Sequence, residues 1–107
     1  MPPVVLRRGE VWMFDCGFAE KVRPVLVLSV PPGPQDRVLV TVVPHTTALR
    51  GSEFEVAVPV RFLKPGAFLV QGISTYPAVR AERLLGTMSA ESLGIVEAGV
   101  RRWLGFR

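Results

Sequence analysis

The chain has 107 residues, the length of one ordinary domain, and its 49% apolar and 21% charged residues exclude a disordered chain because they allow a packed core. The formal net charge of +4, from 13 Lys and Arg against 9 Asp and Glu, fits a polyanionic partner without requiring one. The single cysteine, Cys16, excludes an internal disulfide and a cysteine-based zinc site, and no apolar run approaches the roughly 20 residues that cross a membrane. We therefore expect one cytoplasmic domain over residues 1–107.

Strand patterns dominate most of the chain. Ten Gly and ten Pro favour short elements joined by tight turns. One segment alternates apolar and polar residues, as half-buried strands do, whereas the second and third runs are apolar on both faces, which predicts a central place in the sheet. The predicted strands are Glu10–Phe14, Arg23–Val30, Arg37–Pro44, the alternating Phe54–Val58, and shorter ones near Ala67–Gln71 and Arg83–Met88.

A helical pattern appears only at the C-terminal end. Ser89 is a suitable N-cap and Gly105 a suitable residue to end the helix. On the polar side, Glu97 and Arg101 have the spacing of an ion pair. The apolar face comprises Leu93, Val96, Val100, Trp103 and Leu104. Short strands with one C-terminal helix predict a mainly β protein, a small and strongly bent barrel or half-barrel.

The first candidate site is Glu20–Pro24, at the start of the second predicted strand. An arginine before proline is held extended, so Arg23 has a fixed backbone from which its guanidinium can bind a phosphate with two hydrogen bonds. The alternative is a surface arginine that pairs with Glu20.

The second candidate site is Pro44–Thr47, where the third predicted strand runs into a loop. Thr46 and Thr47 offer hydroxyls to a phosphate or a base edge, or else they satisfy backbone groups of the turn. His45 is a possible general base near neutral pH, although a lone histidine is more often a packed residue. Because the chain has one histidine, a mechanism with two imidazoles is excluded.

The third candidate site is Gln71–Thr75. The amide of Gln71 can read a base edge, or it can bond to a neighbouring strand. Arg80 and Arg83 are candidates to extend a basic surface. The carboxylates lack the paired spacing of a metal nuclease, and no phosphate-binding glycine loop or serine triad is found, so we expect neither a metal nor another cofactor.

The order of these segments resembles that of the MazF/PemK toxins. The opening Arg8-Gly9-Glu10-Val11-Trp12 is similar to the start of that family, and the resemblance extends over about residues 7–106. Each later piece is short, but the pieces follow in the family's order. They are Arg23-Pro24 with the apolar strand ending at Ser29, Val43-Pro44-His45-Thr46, Phe54-Glu55-Val56, Leu69-Val70-Gln71 and Leu85-Gly86-Thr87-Met88-Ser89.

The resemblance implies an SH3-like barrel of about six to seven strands with a C-terminal helix, and a homodimer with RNA in a groove near the dimer interface. It also implies metal-independent, sequence-selective cleavage of single-stranded RNA by the adjacent 2′-hydroxyl, and a cognate antitoxin as partner. The family's catalytic pair corresponds to Arg23 and Thr46. The RNA-binding candidates are Gln71 and the residues beside these segments, Glu20, Lys21, His45, Thr47 and Ser74.

Two departures from the family pattern concern RNA recognition. The loop between the first two strands, Asp15 to Val22, is shorter than in many relatives, and Val70 stands where an acidic residue often precedes the glutamine. The alternative hypothesis is therefore a non-catalytic SH3-like module, a decayed toxin that binds RNA or a peptide.

Overall fold

The computed structural model describes residues 4–17 and 22–106. Within them the chain forms seven strands and one α-helix, which confirms the expected mainly β fold with a C-terminal helix. The strands are β1 (Glu10–Asp15), β2 (Val22–Val27), β3 (Leu39–Thr46), β4 (Glu55–Val56), β5 (Ala67–Leu69), β6 (Ser74–Pro77) and β7 (Ala81–Thr87), and the helix is α1 (Ala90–Leu104).

The strands form one antiparallel sheet in the order β4-β5-β3-β2-β1-β7, with β6 also paired to β3. Strand β3 pairs with β2 along one edge. Along the other edge it pairs with β6 over Leu39–Val42 and with β5 at His45 and Thr46. The central position expected for the second and third strands is confirmed.

Two apolar clusters cover the two faces of the central strands. Leu26 and Val43 belong to a cluster that also contains Val96 and Val100 of α1, while their neighbours Val25 and Val42 belong to the cluster on the other face. Because successive residues of a strand point to opposite faces, a strand covered on both faces must be apolar at nearly every position. This is the physical reason for the unbroken apolar runs.

The helix begins and ends as predicted. The Ser89 hydroxyl accepts a hydrogen bond from the Ser92 N–H, and Gly105 adopts a left-handed conformation (φ 75°). The expected pairing of Glu97 with Arg101 is wrong. Glu97 instead forms an ion pair with Arg8, whose guanidinium also donates to the Leu28 carbonyl, so this pair joins the helix to the end of β2. No helix in the described part of the chain is long and apolar enough to cross a membrane.

The predicted strand bounds differ from the observed ones where pairing with another strand determines the length of a strand. Strand β3 continues through Thr46 because β5 pairs with its end. The predicted strand Phe54–Val58 is reduced to two residues, since only Glu55 and Val56 find partners on β5. The prediction missed β6, which is held by its pairing with β3 and has no apolar run of its own.

Two glycines in α1 provide a test of this packing. Gly94 has open space around it, so Gly94→Ala should raise the free energy of unfolding by about 1 kcal/mol through helix propensity. A methyl group at Gly99 would lie 2.6 Å from Val56 Cγ2, and the overpacking cost of about 1–3 kcal/mol should cancel or exceed the same gain. Urea unfolding of both variants measures the difference. Equal stabilisation by the two alanines would contradict the close packing of α1 on β4.

Candidate functional site

The pairing of β2 with β3 brings Arg23 and Thr46 to the same place. The register joins Val25 to Pro44, Leu26 to Val43 and Val27 to Val42, so the two residue numbers of each pair sum to 69. Continued by two residues, the same register sets Arg23 opposite Thr46, and residues opposite each other in an antiparallel pair share a face. The two candidate catalytic side chains therefore project from the ends of neighbouring strands on one side of the sheet.

The Thr46 hydroxyl is oriented by its own loop. Its oxygen accepts a hydrogen bond from the Ala48 N–H at 3.1 Å. A hydroxyl has one donor and two acceptor positions, so this contact uses a lone pair and leaves the hydrogen to be donated. Thr46 can thus present a fixed O–H to an anionic oxygen.

Two adjoining grooves share Arg23 and Thr46 in their walls. The lining of the Phe62 groove, about 490 Å³, comprises these two residues, His45, Thr47, the Phe62–Lys64 segment and Arg83 from β7 among others. The Gln71 groove, about 390 Å³, continues past Thr46. Its further lining residues are Ala48, Arg50, Ser52, Glu55, Leu69 and Gln71. An extended chain that passes through both grooves would cross the Arg23–Thr46 pair.

His45 also lines the Phe62 groove, but little of its side chain is exposed there. Its side chain is 8% exposed and packs edge-on against Phe68, with ring centroids 5.1 Å apart. Burial lowers the pKa of His45 below 6.5, and the positive charge of Arg23 lowers it further. The imidazole is therefore neutral at pH 7, which avoids a second cation buried beside Arg23.

Comparison with known proteins identifies the family. A sequence profile described as PemK-like, MazF-like toxin of type II toxin-antitoxin system matches residues 7–104. The chain belongs to this family. No curated protein sequence matches the chain.

Solved structures of MazF proteins share the fold. The chain is similar to a structure of MazE-MazF from Deinococcus radiodurans, with 26% identity, a TM-score of 0.80 and coverage of 98% of this chain and 100% of that one. A structure of MazF from the same organism is 27% identical, with a TM-score of 0.76 and coverage of 97% and 100%. An endoribonuclease in complex with its cognate antitoxin from a mycobacterial species is 22% identical, with a TM-score of 0.80 and coverage of 95% and 97%, and supports the fold alone.

A carboxylate organises one wall of the Gln71 groove in this MazF-like toxin. Glu55 on β4 accepts hydrogen bonds from the backbone N–H groups of Arg50, Gly51 and Ser52, at 2.8–3.1 Å. These bonds, led by that from Arg50 and aided by the Arg50 charge, lower the pKa of Glu55, while burial opposes them. Glu55 is consequently a fixed anion that holds the loop carrying Arg50 against the groove.

The structure brings most of the predicted site residues together. Thr47 is exposed in the Phe62 groove, and Gln71 is exposed in the Gln71 groove on a short 3₁₀ turn, Val70–Gly72. Ser74 lies apart, since it pairs with Val42, four residues or about 13 Å along β3 from Thr46. Its hydroxyl donates to the Gly72 carbonyl. Glu20 and Lys21 lie outside the described residues.

Some residues of the site were not among the predicted ones. The grooves are also lined by Phe62, Lys64, Arg50 and Glu55. Only Glu55 had a signal in the sequence, because a glycine in the preceding loop, Gly51, is typical of a turn whose backbone N–H groups bind a carboxylate. Of the two arginines proposed to extend the basic surface, Arg83 lines the Phe62 groove. Arg80 instead lies over the Tyr76 ring, 5.5 Å from its centroid.

The state of His45 can be measured directly because the chain has one histidine. We expect an NMR titration of its imidazole to give a pKa below 6.5. The unfolded chain then binds a proton at higher pH than the folded one, so this contribution to stability is present above about pH 6.5 and is lost as the pH falls towards the folded pKa. Arg23→Gln should raise the pKa only in part, since burial is the larger cause. A pKa at or above 6.5 in the unaltered protein would contradict the buried placement.

The Glu55 contact predicts a pH-dependent loss of stability. Glu55→Gln removes the anion, so the variant should melt at a lower temperature than the unaltered protein at pH 7. A lowered pKa gives stability that is present above about pH 4.5 and is lost as the pH falls through the folded pKa, so the two melting curves should converge in acid. Glu53→Gln, at an exposed carboxylate two residues earlier, is the matched control. Equal melting of both variants at pH 7 would show that the loop does not depend on Glu55.

Proposed function

We propose that the chain is the endoribonuclease of a type II toxin-antitoxin pair. It cleaves single-stranded RNA at selected sequences, and Arg23 and Thr46 are its catalytic residues. The observation that carries the proposal is the β2–β3 register, which sets Arg23 opposite Thr46 when it is continued by two residues, together with the presence of both residues in the lining of two adjoining grooves. The match of residues 7–104 to the family of MazF-like toxins adds support.

The chemistry follows from the two groups. The ribose 2′-oxygen attacks the adjacent phosphorus, the O2′–P bond forms as the P–O5′ bond breaks, and the 2′ proton is lost while the 5′-oxygen gains one. Negative charge accumulates on the phosphoryl oxygens in the transition state. A preplaced guanidinium and an O–H donor stabilise that charge more than the charge of the ground state, and each such donor contributes roughly 2.7–4 kcal/mol. Arg23 acts only as a donor, since a guanidinium carries N–H donors and no acceptor.

Groups in the grooves are suited to the rest of the RNA. Lys64, Arg83 and Arg50 carry positive charges along the path on both sides of Thr46, where phosphates would lie. Thr47 and the Gln71 amide are exposed and can contact base edges. We assign sequence selectivity to these contacts and not to His45, which has little exposed surface.

We also propose the partners and the compartment that this activity implies. A cognate antitoxin would dock across the same grooves and place acidic or apolar side chains where RNA phosphates would otherwise lie. The Deinococcus MazE-MazF complex supports such a partner. A homodimer would bury some of the large apolar side chains that are exposed here, such as Leu104 and Phe106. Since the substrate is cellular RNA, we propose that the protein acts in the cytoplasm.

The proposal predicts RNA cleavage that does not require a divalent metal. The purified protein, incubated with a long single-stranded RNA in EDTA, should produce new ends at a short recurring sequence. Arg23→Ala and Thr46→Val should each lower the single-turnover rate by roughly 10²–10³, as expected for the loss of one transition-state donor. Arg23→Lys should rescue little, since an ammonium lacks the planar pair of donors.

Thr47→Val is the matched control, because it removes an exposed hydroxyl from the same groove but leaves the Thr46 hydroxyl in place. Its cleavage rate should change much less than that of Thr46→Val. RNA binding without cleavage by the unaltered protein would favour the non-catalytic module. Cleavage that persists unchanged in Arg23→Ala would show that the reaction takes place elsewhere.

A further inference from the structure

An aromatic ring stands exposed beside the candidate catalytic pair. Phe62 lies between β4 and β5, is 39% exposed and lines the Phe62 groove, to which Thr46 and Thr47 also belong. The apolar clusters of the core do not include it. The ring therefore needs an explanation other than core packing.

One edge of the ring nevertheless packs against β7. A methyl group built on Gly86 would lie 2.6–2.9 Å from three atoms of the Phe62 ring, so the ring edge occupies the space that any other residue at 86 would fill. Further along the same loop, which runs from Phe62 to Gly66, a methyl group built on Gly66 would overlap the Thr46 carbonyl oxygen. Because residues 66 and 86 are glycines, the loop from Phe62 to Gly66 can contact both β3 and β7. A fixed aromatic surface loses little conformational entropy when a ligand stacks on it.

The charges around the ring fit a nucleic acid. Lys64 lies two residues from Phe62, and Arg23 and Arg83 also line the same groove, so three cationic side chains surround it. Among the residues described, no carboxylate lines this groove, in contrast to the neighbouring Gln71 groove with Glu55. Aromatic side chains interleaved with cations along an open groove bind single-stranded nucleic acids, because bases stack while phosphates pair with the cations.

We propose that Phe62 forms a base-stacking subsite for a nucleotide of the RNA that flanks the phosphodiester held by Arg23 and Thr46. The subsite rests on the proposed function for its substrate, but it acts in binding and in the choice of cleavage position. Phe62 takes no part in the chemical step. Lys64 and Arg83 hold the phosphates on either side of the stacked base.

The test uses a fluorescent single-stranded RNA that spans a mapped cleavage site, with 2′-deoxyribose at the cleaved position so that it binds without being cut. Stacking contributes about 1–3 kcal/mol per base, so Phe62→Leu should weaken binding roughly 5- to 150-fold, and Phe62→Trp should retain it. With cleavable RNA, the loss should appear in KM more than in kcat. Val79→Ala, which trims an exposed apolar residue outside both grooves, is the control and should bind as the unaltered protein does.

A scan with abasic nucleotides separates stacking from a structural effect of the substitution. For the unaltered protein, removal of one particular base should cost as much binding as Phe62→Leu does. With Phe62→Leu, removal of that base should cost little more, because the ring and the base act as one pair. If the losses from the protein and RNA changes add at every position, the subsite does not exist.

Other outcomes keep the inference and the proposed function distinguishable. If the unaltered protein cuts no RNA but binds mixed-sequence single-stranded RNA in a Phe62-dependent manner, the subsite stands and the nuclease proposal fails. If it cuts RNA and Phe62→Leu cuts and binds equally well, the nuclease proposal stands and the subsite fails. Unchanged RNA binding with a loss of antitoxin binding would assign Phe62 to the protein partner and overturn the inference.

Discussion

The site depends on the backbone register between β2 and β3. The register aligns Val25 with Pro44, and the next pair would join Pro24 to His45, where Pro24 has no N–H to donate. The ladder therefore ends at the Val25–Pro44 pair, two residues before Arg23 and Thr46. Their side chains still share a face, but the strand ends leave room between them for a ligand. A shift of the register by one residue would turn Thr46 to the opposite face and dissolve the pair.

Two glycines that allow close packing and the hydrogen-bonded carboxylate of Glu55 position the groove walls around Arg23 and Thr46. Gly66 and Gly86 allow the segment that carries Phe62 to contact β3 and β7, while Glu55 fixes the loop that carries Arg50. Both walls are loops anchored on strands, an arrangement in which binding groups can differ while the scaffold stays the same. Their charges differ as well, since the Phe62 groove carries cations and the Gln71 groove combines Arg50 with an anion.

The positive charge of Arg23 also affects the protonation of His45 on β3. His45 is buried against Phe68 and remains neutral at pH 7, because burial and the neighbouring Arg23 guanidinium both oppose its protonation. Among the described residues at these two strand ends, the positive charge therefore comes from Arg23 alone. An arginine suits this place, since its planar guanidinium presents a fixed pair of N–H donors to a phosphate.

The sequence by itself determined the fold class, the two central strands and the helix with its caps at Ser89 and Gly105, because these follow from local apolar periodicity and capping chemistry. A resemblance that spans nearly the whole chain added Arg23 and Thr46 as the predicted catalytic pair. The sequence could not determine β6, the partner of Glu97 or the places of Ser74 and Phe62. Each of these depends on a contact between segments far apart in the chain: β6 on β3, Glu97 on Arg8, and Phe62 on Gly86. A local pattern shows which face of a segment is apolar, but only the folded chain decides what packs against that face.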